Sequence, residues 1–71
     1  MSLNDELYRI WSGIAPDAME AMEADGAEDA DYLAETLLNV VDVHMDSAYA
    51  VEWHNTSSAK RMALALETVT S

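Results

Sequence analysis

The chain has 71 residues, 51% of them hydrophobic, and a formal net charge of -11 from 14 Asp and Glu against 3 Lys and Arg. That length supports one small domain, and the apolar fraction excludes a disordered acidic tail, which would lack the side chains for a core. The charge excludes direct binding to nucleic acid or to an anionic membrane surface, and no apolar run approaches the roughly 20 residues of a membrane span.

The first predicted element is a helix with Leu3, Leu7, Ile10, Trp11 and Ile14 on one face. Ser2 is placed to cap it, Asp5 and Glu6 fall in the first turn where the helix dipole favours anions, and Gly13 is a plausible stop. Pro16 suits the first turn of a second, short helix over 17–24, with Ala18, Met19 and Met22 as its apolar edge and Gly26 as its end.

The third segment, about 28–54, is the longest. Ala30, Leu33, Leu37, Val40, Val41, His44, Ala48 and Val51 fall within about 100° of arc at helical spacing, which predicts a core stripe. A break near Asp46-Ser47 is the alternative, with Ser47 capping a new helix after the weak helix formers Val40, Val41 and Val43. A cluster at Asn55-Thr56-Ser57-Ser58 caps a last helix with Ala59, Met62, Ala63, Leu66 and Val69 on one side. The expected fold is all-α: a single domain over 1–71, a small three- or four-helix bundle with one long central helix.

Fifty residues, 10–59, contain no Lys or Arg but hold eleven carboxylates. On a continuous third helix, Glu28, Asp31, Glu35, Asn39, Asp42 and Asp46 share about 80° of arc over about 27 Å. Their axial steps of about 4.5–6 Å are loosely comparable with the 3.4 Å rise of DNA phosphates. The same register carries Tyr49 and Trp53 onto the end of the row, as large anchors beside a charged rim. With a break at Asp46-Ser47 the row ends there, and both aromatics turn into the core.

Catalytic and metal patterns are weak. There is no Cys, so there is neither a disulfide framework nor a thiolate site. His44 lies on the apolar stripe, opposite Asp42 and Asp46, and no Glu-x-x-His spacing exists. Reading Gly26 as the sixth position of an EF-hand loop puts Ala21 first and Tyr32 twelfth, where carboxylates are needed. Asp46-Ser47 in a small acidic helical chain resembles the attachment motif of acyl carrier proteins, Asp-Ser-Leu. Here Ala48 replaces the Leu, and the long apolar segment precedes the pair. No cofactor, metal or catalytic set is expected.

The expected function is that of a small acidic binding protein. It would occupy a basic surface of a partner, in particular of a nucleic-acid-binding protein, as antitoxins, immunity proteins and phage-encoded antagonists of host defence do. Glu28, Asp31, Glu35, Asp42 and Asp46 would supply charge, and Tyr49 and Trp53 would anchor. The N-terminus lacks the features of a signal peptide, so a cytoplasmic protein is expected, in the host cytoplasm if viral. The alternative is a helical assembly subunit that self-associates, for example as a homodimer, with acidity that serves solubility or a high-salt habitat.

Overall fold

Ser2 caps the first helix as its sequence implies. Its hydroxyl accepts from the Asp5 amide, and the Asp5 carboxylate accepts from the Ser2 amide, a reciprocal capping box. The helix does not stop at Gly13. In the computed structural model, which describes residues 2–26 and 28–71, α1 is unbroken over Leu3–Asp25. Pro16 therefore sits inside a helix, where it removes the amide that would serve the Ser12 carbonyl. Two things carry the helix past it. Ala, Met and Glu dominate the next turns, and Ala18 is buried in the core with Met22 packed against it. Gly26 ends α1 in the left-handed conformation, φ 74°, as expected.

The segment 28–54 is two helices. α2 spans Ala30–His44 and α3 spans Ser47–His54. The residue that opens α3 is Asp46, not Ser47: its carboxylate accepts the Ala48 amide, and Met45 before it is extended. The long helix of the bundle is thus α1, at 23 residues. At 1.5 Å per residue it measures about 35 Å, which matches the 35 Å long axis of the molecule. α4 spans Ser58–Thr70, with Ser57 as cap.

The expected core stripe holds as far as Val41. Leu33, Leu37 and Val41 are buried, joined by Ala34, but His44, Ala48 and Val51 are exposed. The break turns the stripe's continuation outward and turns Trp53 inward. α4 is rotated from its expected setting: Ala65 and Thr68 are buried, Met62, Leu66 and Val69 flank them, and Ala59 and Ala63 face solvent. α2 packs most extensively on α4, and each helix brings a fully buried alanine, Ala34 and Ala65, small enough for close approach. The Thr68 hydroxyl is satisfied locally by the Leu64 carbonyl at 2.8 Å. Leu3, Leu7, Ile10 and Trp11 of α1 close the core. Among the described residues, no helix is long and apolar enough to cross a membrane.

Candidate acidic interface

The three cations decide the electrostatics. Arg9 pairs with Glu6 one turn earlier, and its Nη2 donates to the His44 carbonyl at 2.8 Å, closing the end of α2. Arg61 donates from Nε to the Trp53 carbonyl at 3.1 Å and from Nη2 to the His54 carbonyl at 3.0 Å, closing the end of α3. A cation at a helix C-terminus meets the negative end of the dipole. Both arginines are therefore committed to helix ends, while Lys60 is exposed and, among the described residues, has no ion pair. Arg61 lies in the first turn of α4, where that helix's own dipole disfavours a cation. Its partner is the preceding helix's end.

The carboxylates divide into two groups. Asp5, Asp29 and Asp46 cap helix N-termini, Glu6 pairs with Arg9, Asp25 accepts the Tyr32 hydroxyl at 3.0 Å, and Asp42 accepts the Trp53 indole at 3.0 Å. Glu6 is 5% exposed, so its pair with Arg9 offsets a desolvated charge. The Asp25 contact raises the Tyr32 pKa above that of a free phenol: the hydrogen bond to Asp25 contributes most, then burial, then the carboxylate's charge.

The second group is Asp17, Glu20, Glu23, Glu28, Asp31, Glu35, Glu52 and Glu67. All are exposed, and among the described residues none makes a side-chain hydrogen bond or ion pair. Six of them lie between 17 and 35, on the last turns of α1, the short connection and the first turns of α2. The six therefore lie on the connected halves of α1 and α2, which pack on each other. This is an acidic pole rather than a row along one helix.

Of the residues singled out from sequence, Glu28, Asp31 and Glu35 stand at this pole. Asn39 and Asp42 continue the exposed face of α2, with Asp42 held by Trp53. Asp46 lies beyond the helix, in a capping role. Tyr49 is half-buried, and Trp53 at 2% exposure is core, so it is no surface anchor in this conformation. The register that placed both aromatics on the acidic face assumed a continuous helix, and the break at Met45-Asp46 removes that premise. Asp17, Glu20 and Glu23 went unweighted, although their spacing of three on a helix signals one exposed flank.

The described residues contain no group of three or more His, Asp or Glu placed to hold a metal ion. Ser47 is exposed as the first residue of the eight-residue α3. No family model, curated protein or solved structure matches the chain.

Proposed function

We propose that this protein binds a basic surface of another protein, one that otherwise holds nucleic acid, and blocks it. The observation that carries the reading is the six free carboxylates at the α1–α2 pole, in a molecule whose arginines are both turned onto helix ends. Neither arginine is left to neutralise that pole. Uncompensated charge steers a basic partner in quickly, at a rate that falls with salt. Competition is the mechanism: carboxylates take the place of phosphates. Antitoxins, immunity-type proteins and phage-encoded antagonists of host defence act in this manner, in the cytoplasm of the cell or host.

The test is capture of partners from source or host lysate at low and high salt, with and without competing DNA. Expected is one basic nucleic-acid-binding protein, released by salt or by DNA. The triple variant Glu23→Lys, Asp31→Lys, Glu35→Lys should lose it while keeping the wild-type circular dichroism, because among the described residues none of the three side chains makes a hydrogen bond or ion pair. Undiminished capture by that variant would reject the acidic pole as the binding surface.

A second reading, a self-associating assembly subunit, is favoured by Val43 and Val51, which are 79% and 70% exposed. A sedimentation coefficient that rises with concentration at high salt would support it, and an invariant monomer would remove it.

A further inference from the structure

α3 is attached to the bundle unlike the other helices. Of its eight residues only Trp53 is buried, and Val51, opposite it on the helix, is 70% exposed. Its sequence, Ser-Ala-Tyr-Ala-Val-Glu-Trp-His, has no continuous apolar face. A helix without one gains little from packing, and eight residues are too few for a helix to hold itself in water.

α3 rests on the first turns of α1 with a groove at each end of the contact. One is lined by Asp5, Glu6 and Arg9 facing Asp46, Ala48 and Tyr49. The other is lined by Ser2, Leu3 and Asn4 facing Glu52 and Thr56. Met45-Asp46 and Asn55-Thr56-Ser57 connect it to its neighbours.

α3 is held down chiefly by Trp53 and its partners, with Tyr49 half-buried against the core one turn earlier. The Trp53 indole donates to the Asp42 carboxylate on α2 at 3.0 Å, and the Arg61 guanidinium of α4 lies 5.2 Å from the ring centroid. Arg61 also donates to the Trp53 and His54 carbonyls. We propose that α3 is a strap that opens as a unit while α1, α2 and α4 stay packed, with Trp53, held by Asp42 and Arg61, as its latch. The three remaining helices keep Leu7, Leu37, Val41 and Ala65 together, so the rest of the core survives the opening. The open form exposes the Trp53 ring, an apolar surface anchor that the closed form lacks.

Native-state amide exchange, read residue by residue by NMR, tests this on the unmodified chain. Amides of Val51 to Asn55 should exchange at least about tenfold faster than those of Leu37 to Val41, with a much shallower dependence on denaturant, since local opening exposes little surface. Trp53→Phe, which keeps an aromatic ring but deletes the indole N–H and the second ring of the latch, should accelerate α3 several-fold further than α2 and α4. Equal rates and equal denaturant slopes in α2 and α3 would overturn the proposal. So would a Trp53→Phe variant in which all helices accelerate together.

Discussion

Gly13 shows how a residue can mislead when read alone. Its chemistry signals a stop, yet it lies in mid-helix, exposed, and a Cβ added there meets nothing within 4 Å. Gly13→Ala should therefore stabilise the protein by about 0.5–1 kcal/mol, because Ala gives up less backbone freedom on folding. A chemical denaturation midpoint that falls would contradict the helical assignment at this position. Arg9 is the opposite case, an exposed side chain with a buried task. Arg9→Ala leaves the Glu6 carboxylate unpaired and the end of α2 without its cation, for an expected loss of roughly 1–3 kcal/mol by the same measurement. The lower end of that range reflects solvent access along the groove beside Glu6. Caps were legible at this scale: Ser2, Gly26 and Ser57 act as their chemistry implies. Trp53 was not, because its place depends on a backbone break at Met45-Asp46, nineteen residues after Gly26, the nearest Gly or Pro.

For the elements, the periodicity of 28–41 was a sound guide and the periodicity beyond it was not. A hydrophobic stripe reports a face only while the helix continues, and three valines in the last turns of α2 make continuation weak. The Asp46 carboxylate then offers the chain a new start. α1 erred the other way. Pro16 reads as a boundary, but burial of Ala18 and packing of Met22 outweigh a local penalty of about 3 kcal/mol. Pro16→Ala should return part of that penalty, raising stability by roughly 1–3 kcal/mol in urea denaturation, since Pro16 is exposed and its replacement restores an amide for the Ser12 carbonyl. The turn joining α1 to α2 has a pH signature. Tyr32 has a raised pKa in the folded chain, so its contribution is full below the ordinary phenol value of about 10 and is lost as pH rises through the folded value. Stability should therefore decline above pH about 10 and decline less in Tyr32→Phe.

Across the whole molecule, a net charge of -11 on 71 residues opposes compaction. The melting temperature should rise by several degrees between about 0.01 M and about 1 M NaCl, as the screening length falls from about 30 Å to about 3 Å. A melting temperature that is flat across that range would mean that the charges are already balanced by bound ions. The total charge was plain from composition, but its division was not. Sequence does not reveal that Asp25 holds a phenol and Asp42 an indole, since those roles depend on contacts between helices. That division has a consequence for the chain's history. Neutralising the eight free carboxylates would take the charge from -11 to -3 while leaving every cap and pair in place. Fold and charge can thus drift independently. In a lineage with no use for the acidic pole, Asp17, Glu20, Glu23, Glu28, Asp31 and Glu35 would erode under mutation long before Glu6, Asp42 or Asp46. The ratio of those two substitution rates in sister chains would measure selection on binding apart from selection on folding.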